Sequence, residues 1–507
     1  MKIKRIAIIG GGTAGWLAAN HLGAELVADE EVQITVIESK DVPTIGVGEG
    51  TVPYIMKSLK RFGISEAELL LTCDATFKQG IKFVNWRNPQ LHGENYYYHP
   101  FDEPYPAGVD VTPYWIAHEQ GRPFDDVGLQ ARVCELGLAP KRQSAGEYQG
   151  DLSYAYHFNA LKFANLLSRN AQNRFNVSHL QATIEQAEVN SDGNITHLHT
   201  DEGESLPFDF YIDCSGTSSI LIDKTLNVPF ISKADELFTD TALVQQVPLE
   251  PTNNINPYTT ATAHSAGWIW DIPLTNRRGT GFVYSSQHMT EDEAIRQYAK
   301  YLNVSDTGFT PRKIKMDIGY RETFWQNNCV ALGLAQGFLE PLEATSILVT
   351  DFSAELLARN FPRMKDDIDC STKYYNEVVR YVWERCVDFI KLHYCISDRQ
   401  DSAFWQANRD STTWSSELTS RLEKFSKRPP HQSDFFSRFD LFNEKNFLYV
   451  LYGMGFKTRT PKLGANETAH CRSLFESNDA IVEQAKKRLL KHDTWLNGLR
   501  HAASQTR

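Results

Sequence analysis

Three glycines near the start of the chain constrain its fold more than any other feature. They occur in Gly10-Gly11-Gly12-Thr13-Ala14-Gly15, between an apolar strand-like run at 5–9 and a helix-like run. The first glycine permits a tight turn, the second lets a pyrophosphate approach the backbone, and the third lets the helix pack on the strand. The N–H groups at the start of the helix then face the phosphates. The pattern therefore predicts a Rossmann-type dinucleotide-binding element.

A second strand and an acidic residue follow at the spacing that this element requires. The strand at 33–37 ends at Glu38, about 20 residues after the glycines, where a carboxylate accepts hydrogen bonds from ribose hydroxyls. Two later apolar strands also end in glycine, in Asp213-Cys214-Ser215-Gly216 and at Gly333. Several such turns suit one long cofactor, so FAD fits better than NAD, although both later glycines also fit ordinary strand-end turns. Alternating strands and helices indicate an α/β fold.

Composition and charge narrow the classes of function. The 507 residues include 52 Lys and Arg against 63 Asp and Glu, a net charge of −11, which argues against nucleic acid as the main partner. The eight cysteines form no CxxC pair, and no metal site is predicted. The chain shows neither a signal-peptide pattern nor an apolar stretch long enough to span a bilayer. A reduced, cytoplasmic protein without a membrane partner is the expectation.

The chain is predicted to divide at about residue 374. Residues 1–374 are expected to form the α/β core, with cofactor segments at 6–53, 208–216 and 329–347. From residue 375, apolar residues and His393 recur at spacings of three and four, which is typical of a helix with one buried face. A last amphipathic helix is predicted to start after residue 478, with one apolar side formed by Ile481, Ala485, Leu489 and Leu496. Residues 375–507 are therefore expected to form a helical cap that covers the substrate site.

Seven motifs follow one another along residues 1 to about 395. They are GGGTAGW at 10–16, GVGEGTVP at 46–53, FKQGIKF at 77–83, YAYHFNA at 154–160, DCSG at 213–216, GWIWDIP at 267–273 and LEPLEATSI at 339–347. On these motifs the chain resembles the flavin-dependent halogenases of the tryptophan halogenase family. GWIWDIP is the most diagnostic, since it fits the family motif G-W-x-W-x-I-P, which flavin hydroxylases lack. The resemblance implies a flavin-monooxygenase-like FAD-binding box with a helical pyramid on top, a separate flavin reductase that supplies FADH2, and compatibility with a homodimer.

The resemblance also implies a reaction and two catalytic residues. Reduced FAD, oxygen and chloride or bromide give hypohalous acid, which passes through an internal tunnel to an aromatic substrate. Lys78 matches the family's essential lysine, which either hydrogen-bonds the hypohalous acid as an ammonium or forms a haloamine as a neutral amine. Glu343 matches the essential glutamate, which orients the hypohalous acid or takes up the proton of the arenium intermediate. Lys82 and Glu340 are nearby residues of the same types, and alternation along one strand would place Lys78, Gly80 and Lys82 on one face.

The binding residues follow from the same resemblance. The backbone N–H groups of Thr345 and Ser346 match the family's halide-binding pair, at a predicted helix start whose dipole favours an anion. Trp268 and Trp270 are expected to form a wall that keeps the substrate away from the flavin. The cofactor-binding set is Gly10, Gly11, Gly12, Thr13, Ala14, Gly15, Glu38, Gly48, Glu49, Ile184, Asp213, Gly333, Leu334 and Ile347. The substrate-binding set is His99, Phe101, Phe447, Tyr449, Tyr452 and Phe456.

Two departures from the family pattern leave the substrate open. The aromatic run at 447–456 lacks the acid that grips the amino-acid part of tryptophan, and Ala344 replaces a serine after Glu343. A simpler indole, a phenol, or an indole inside a larger molecule are candidates beside free tryptophan. Two other functions remain as alternatives: a flavin monooxygenase that hydroxylates an aromatic, and a non-catalytic flavin-binding protein.

Overall fold

The computed structural model describes residues 1–40, 48–249 and 254–505. Positions 46 and 47 of the GVGEGTVP motif, and with them part of the cofactor segment 6–53, lie outside the described residues. The α-helices are α1 (Thr13–Leu26), α2 (Tyr54–Phe62), α3 (Glu66–Thr72), α4 (Pro89–His92), α5 (Thr112–His118), α6 (Gln130–Glu135), α7 (Ala160–Phe175), α8 (Glu291–Leu302), α9 (Thr345–Arg359), α10 (Ile368–Cys395), α11 (Ala403–Asn408), α12 (Ser416–Lys427), α13 (Glu444–Gly453), α14 (Ala465–Arg488) and α15 (His492–Gln505).

The strands alternate with these helices up to α9. They are β1 (Arg5–Ile9), β2 (Gln33–Glu38), β3 (Gly48–Gly50), β4 (Thr76–Lys78), β5 (Gly80–Val84), β6 (Tyr96–Pro100), β7 (Ala155–Asn159), β8 (Ser178–Gln181), β9 (Ile184–Val189), β10 (Ile195–Thr200), β11 (Ser205–Pro207), β12 (Phe210–Asp213), β13 (Phe230–Ser232), β14 (Thr241–Pro248), β15 (Thr259–His264), β16 (Gly267–Pro273), β17 (Arg277–Tyr284), β18 (Arg312–Lys315), β19 (Gly319–Arg321), β20 (Trp325–Gln326), β21 (Cys329–Ala331) and β22 (Gly337–Phe338). The fold is the α/β class that the sequence predicts.

A six-stranded sheet aligns the three predicted glycine turns at one edge. Its order is β20-β21-β12-β1-β2-β8, so β1, β12 and β21 are neighbours. The pairs β1–β12 and β12–β21 are parallel, with Ile9 opposite Asp213 and Asp213 opposite Ala331. Because the carboxyl ends of parallel strands meet at the same edge, the three following turns lie side by side, where ligands bind in open α/β sheets.

The segment around Lys78 runs through two different sheets. Strand β4 belongs to the three-stranded sheet β3-β7-β4, whereas β5 belongs to the seven-stranded sheet β18-β14-β17-β16-β15-β5-β6. The chain crosses between them at Gln79, whose N–H donates to Pro257 O at 2.7 Å, and at Gly80, whose φ is +157°. The prediction that Lys78 and Lys82 share one face of a single strand is therefore wrong, because the strand is interrupted between them.

The helical region begins before residue 375, and its apolar residues pack in the same cluster as those of the α/β core. Helix α10 starts at Ile368, and one continuous apolar cluster contains residues from both sides of position 374, such as Ile8, Trp268, Val382 and Trp495. The division at residue 374 stays a prediction, since packing is continuous across it. In the described ranges, no helix has the length and apolar character needed to cross a membrane.

The last predicted helix is two helices in the structure. Helix α14 starts at Ala465, well before the predicted start, and ends where Leu489 adopts an extended backbone. Ile481, predicted on the apolar side, is 42% exposed. The apolar pattern spanned a helix break, and Leu496 is buried on α15 instead.

Candidate active site

The glycine turns are forced by close approach of the three neighbouring strands. A Cβ on Gly10, whose φ is +114°, would lie 2.1 Å from the carbonyl oxygen of Cys214. A Cβ on Gly15 would lie 1.9 Å from the Gly10 carbonyl oxygen, so only glycine lets α1 pack on the turn. Gly333, with φ +63°, would bring a Cβ to 2.6 Å from the Cβ of Ala14. The first and third turns thus contact each other directly, as one dinucleotide site requires.

The acidic residues predicted at this edge have different environments. A Cβ on Gly11 would lie 2.1 Å from Cδ of Glu38, so the Glu38 carboxylate covers the glycine turn. Asp213 is fully buried, and its carboxylate accepts hydrogen bonds from Ser215 Oγ at 2.6 Å and from the N–H groups of Leu221 and Ile222, both at 2.8 Å. The prediction that Asp213 binds the cofactor needs correction for its side chain, because that carboxylate is used to fold the turn that follows β12.

The remaining predicted cofactor residues lie in several different elements. Ile184 packs in an apolar cluster with Ile9 and Ile37, so its side chain is used in the core. Leu334 is half-buried and Ile347 is 8% exposed. Gly48 and Glu49 lie in β3, and burial raises the pKa of the Glu49 carboxyl to about 7. Within the described part of the chain, Glu49 Oε2 is buried without a hydrogen-bond partner.

Helix α9 begins without a side-chain cap. Ala344 precedes it in the left-handed conformation, with φ 55° and ψ 34°, and offers no side-chain acceptor. The backbone N–H groups of Thr345 and Ser346 donate to no acceptor among the described residues. A small cleft beside this helix start brings the predicted halide pair next to the third glycine turn, and its lining includes Gly333, Gly337, Thr345, Ser346 and Trp383. Free amides at a positive helix end suit an anion.

Lys78 is buried at the end of β4. Its side chain is 1% exposed, and Nζ lies 5.4 Å from the ring centroid of Phe101. Burial lowers the pKa of Lys78 to about 8, and the charge of Glu343 opposes this effect. His157 lies between Thr76 and Thr259, and burial, with the nearby charge of Lys78, lowers the pKa of its imidazole well below the usual value. A neutral histidine and a readily deprotonated lysine therefore adjoin each other.

Two histidines hold the carboxylate of Glu343. His99 Nδ1 lies 2.9 Å from Oε1 and 3.0 Å from Oε2, and His393 Nε2 lies 2.9 Å from Oε1. Burial raises the pKa of the Glu343 carboxyl, but the interactions with His99 and His393 outweigh burial and lower it to about 2. The side chains of Lys78, Glu343 and His99 are all at most 4% exposed. An ionised carboxylate therefore adjoins the lysine in a dry interior.

Glu340 points away from this group. Its Oε2 accepts hydrogen bonds from the hydroxyl of Thr239 and, at 3.5 Å, from the indole N–H of Trp268. Burial raises the pKa of the Glu340 carboxyl, with hydrogen bonds opposing the rise. The two glutamates diverge because a 3₁₀ turn covers Pro341–Glu343 and Ala344 separates it from α9. Glu340 and Glu343 therefore do not share a helix face between residues 340 and 344.

The two tryptophans of the GWIWDIP motif lie on β16. Trp268 is 1% exposed and Trp270 6%, and their ring centroids are 6.2 Å apart. Trp270 lies over Gly281, where a Cβ would approach the indole to 2.1 Å. Trp268 is linked through Glu340 to the turn that carries Glu343. The pair therefore forms a buried aromatic layer next to that turn, as the predicted wall requires.

The predicted substrate residues divide into two groups. Tyr449 has its ring centroid 6.2 Å from that of His99, and Phe447 lies 5.2 Å from Phe389, whose ring in turn is 5.9 Å from His99. Tyr449 and Phe389 therefore lie beside His99. Tyr452 packs on Trp115 and Phe124 in a smaller apolar cluster that also contains Tyr449, and its hydroxyl pairs with Thr458. Phe456 is half-buried against the main core. Tyr449 thus contacts both His99 and the cluster that holds Tyr452.

Sequence reasoning missed three members of the site. His393 follows the apolar helical spacing of α10, so it was interpreted as part of a buried face. Phe389 belongs to the same face and stacks on Phe442 at 4.1 Å. Asn446 contacts His99, with its Nδ2 3.0 Å from His99 Nε2. The only available signal was a histidine on an apolar face, which more often serves as a core residue.

Comparison with known proteins decides the family. The family model described as tryptophan halogenase matches residues 5–469. The chain belongs to the tryptophan halogenase family. Tryptophan 6-halogenase SttH of Streptomyces toxytricini is 33% identical over 475 residues, which cover 89% of each chain. Tryptophan 7-halogenase RebH of Lentzea aerocolonigenes is 31% identical over 96% of each chain.

Solved structures of tryptophan halogenase relatives share the whole fold. A tryptophan halogenase from Shewanella frigidimarina superposes with a TM-score of 0.94 at 37% identity, over 98% of each chain. BrvH, a flavin-dependent halogenase from Brevundimonas sp. BAL3, gives 0.88 at 30% identity over 98% of this chain and 99% of that one. The resemblance inferred from the seven motifs is confirmed at the level of family and fold.

Proposed function

We propose that this protein halogenates an electron-rich aromatic compound, using chloride or bromide, oxygen and FADH2 delivered by a separate flavin reductase. The observation that carries the proposal is the buried neighbourhood of Lys78 and Glu343. The charge of Glu343 acts on the pKa of the lysine, and the ring of Phe101 lies 5.4 Å from its Nζ. Membership of the tryptophan halogenase family supports the same activity.

The residues of the glycine edge fit FAD. The close approaches at Gly10, Gly15 and Gly333 pack the turns together, and a Cβ on Gly12 would meet no atom within 4 Å, so open space adjoins the turn where a pyrophosphate would lie. Glu38 would accept hydrogen bonds from the ribose, and the turn after β21 and the first turn of α9 would place backbone groups of Leu334 and Ile347 beside the ring. When bound and reduced, FAD would supply the electrons that activate oxygen for oxidation of the halide. Thr345 and Ser346 would hold the halide by their free N–H groups.

Lys78 and Glu343 would carry out the transfer to the substrate. The halogen of hypohalous acid, HOX, forms a bond to an aromatic carbon while the O–X bond breaks. The hydroxide that leaves takes a proton and becomes water. With a pKa of about 8, Lys78 is available as an ammonium that hydrogen-bonds the oxygen of HOX and as an amine that forms a haloamine. Glu343 would then remove the proton from the same aromatic carbon, which restores aromaticity.

An indole is the substrate class that the site favours. Phe101 lies beside Lys78, and Tyr449 lies beside His99, which contacts Glu343, so flat groups adjoin both proposed catalytic residues and suit an aromatic ring. The curated relatives RebH and SttH are named for action on tryptophan. Free tryptophan, a simpler indole and an indole within a larger molecule are the members to test.

The test uses the full chain with a flavin reductase, NADH, FAD, oxygen and bromide, and a panel of indoles and phenols. Mass spectrometry should show products heavier by bromine minus hydrogen. Lys78→Ala should abolish them, whereas Lys82→Ala should retain them, because Lys82 pairs with Glu135 at 2.6 Å outside the site.

The alternatives predict different products in the same assay. Oxygenated products formed without halide and retained by Lys78→Ala would establish a hydroxylase. If neither the panel nor an avid halogen trap such as monochlorodimedone is halogenated while reduced flavin is consumed, the proposal fails. A flavin complex inert toward oxygen would establish a binding protein.

A further inference from the structure

His393 and His99 both contact Glu343, but their second ring nitrogens face groups of opposite character. His393 Nδ1 lies 2.9 Å from the carbonyl oxygen of Phe389, one turn earlier on α10. A carbonyl oxygen only accepts hydrogen bonds, so Nδ1 must carry a hydrogen. Nε2 faces Oε1 of Glu343, which also accepts when the carboxyl is ionised. Both nitrogens of His393 therefore face acceptors.

The other histidine faces a donor. Asn446 presents Nδ2 to His99 Nε2 at 3.0 Å. The orientation of this amide is fixed by the start of α13, because Asn446 Oδ1 accepts the backbone N–H of Asn443 at 2.9 Å. An amide NH2 only donates, so His99 Nε2 must carry a lone pair and Nδ1 the hydrogen. His99 is therefore neutral while it donates to Glu343.

We propose that His393 is a positioning residue that holds Glu343 ionised as its imidazolium counter-ion, while His99 donates to the same carboxylate as a neutral ring. A buried carboxylate needs a paired charge, and the two hydrogen-bond patterns assign that charge to His393 rather than to Lys78. Lys78 makes no hydrogen bond or ion pair to any described residue, so its amine remains available for the halogen. The role of Glu343 as base rests on the proposed function, but the proton assignment does not.

The geometry also selects the reactive oxygen. Oε1 accepts from both histidines, whereas Oε2 accepts from His99 alone. Oε2 therefore keeps a free lone pair, and this oxygen would take the proton from the substrate carbon. Because His393 holds Oε1, it fixes the rotation of the carboxylate and aims Oε2.

The groups that face His393 lie on β5, on the loop after β5 and in the turn before α9. Phe83 of β5, at 5.0 Å, and Trp86, at 6.0 Å, cover the ring with apolar surface. Glu343 is the titratable group in direct contact. Through Glu343, His99 on β6 and Lys78 on β4 act on the same charge, as the influence of Glu343 on the pKa of Lys78 shows.

The direct test needs neither flavin nor substrate. Ring-¹⁵N NMR of flavin-free protein at pH 7.5 should contain an imidazolium signal that disappears in His393→Gln and a neutral Nδ1–H signal that disappears in His99→Gln. Asn446→Asp keeps an oxygen for the cap of α13 but turns an acceptor toward His99, so it should convert the His99 signal to imidazolium. If the signal lost in His393→Gln belongs to a neutral ring, the proposal is overturned.

The isosteric Glu343→Gln variant covers the case in which His393→Gln does not fold. Without the carboxylate, the imidazolium signal of His393 at pH 7.5 should be replaced by that of a neutral ring, and an unchanged imidazolium signal would overturn the proposal. His21 is the matched control for stability, since it forms a buried pair with Asp351 at 2.7 Å outside the site. His21→Gln should lower stability without changing the His393 signal.

The kinetic readout separates positioning from a merely structural role. In His393→Gln, Glu343 loses its cation and ionises less readily, so the acid limb of the kcat profile should move up by at least about one pH unit. His99→Gln should move it less, because glutamine keeps a neutral donor. Equal shifts would contradict the assignment, and loss of all activity with the expected NMR signals would count against the proposed function alone.

Discussion

Removing the amine of Lys78 should stabilise the protein while it abolishes halogenation. In Lys78→Met the apolar stem remains but the buried charge is lost. Burial lowers the pKa of Lys78 from 10.5 to about 8, and at about 1.4 kcal/mol for each pKa unit the charged form costs about 3 kcal/mol at pH 7. Proteins often become more stable when a residue that is held in a strained or desolvated state for function is replaced.

The pH dependence gives the sign of this effect. Below pH 8 both the folded and the unfolded chain carry the ammonium, so the full cost is present. Between pH 8 and 10.5 the folded protein releases the proton while the unfolded chain keeps it, so wild-type stability rises with pH. The gain from Lys78→Met should therefore fall from about 3 kcal/mol at pH 7 to about 1 kcal/mol at pH 10.

Urea unfolding at the two pH values measures this difference directly. Groups other than Lys78 titrate in both proteins, so their contributions cancel when the free energies of unfolding are subtracted. Lys82→Met is the control for loss of a lysine from the same segment, and it should cost up to about 1 kcal/mol, because it breaks the pair with Glu135. A gain for Lys78→Met that is equal at pH 7 and pH 10, or larger at pH 10, would refute the reasoning.

Three further predictions concern the surroundings of the site. Gly10→Ala should lose FAD binding, measured by quenching of flavin fluorescence, because its Cβ would lie 2.1 Å from Cys214 O; undiminished binding would contradict the proposed cofactor site. Gly50→Ala should lower kcat with little change in FAD affinity, since its Cβ would lie 3.3 Å from Lys78 Nζ, and the opposite split would place Gly50 in the cofactor site. Burial lowers the pKa of His492 from 6.5 to about 4. As the pH falls from 6.5 to 4, the unfolded chain therefore binds a proton at this residue while the folded protein does not, and the free energy of unfolding decreases. His492→Gln should flatten this part of the urea-unfolding profile, and a profile as steep as that of the wild type would contradict it.

Local patterns were enough to predict the cofactor half of the molecule. The strands β1, β2, β12 and β21 are short apolar runs that end in glycine or an acidic residue, so each carries its own signal. Motif resemblance then supplied Lys78 and Glu343, which residue type alone would never have selected.

The protonation partners of Glu343 could not be predicted in the same way. His99 and His393 are 244 and 50 residues away from it, and they meet only through packing between α10, β6 and the turn before α9. The change of sheet at Gln79 was also hidden, because FKQGIKF alternates as one strand would. The break is imposed by pairing of β4 with β7 and of β5 with β15.

The change of sheet at Gln79 gives protein engineers two separately adjustable halves. The proposed reacting amine is carried on β4, within a small sheet with β3 and β7, whereas Phe447 and Tyr449, which are proposed to bind the substrate, are carried on α13. A library confined to residues of α13 other than Asn446 should therefore reshape the space for a new aromatic compound while Lys78 and the contacts of Glu343 stay where they are. Regiochemistry should change in such a library more readily than the choice of halide.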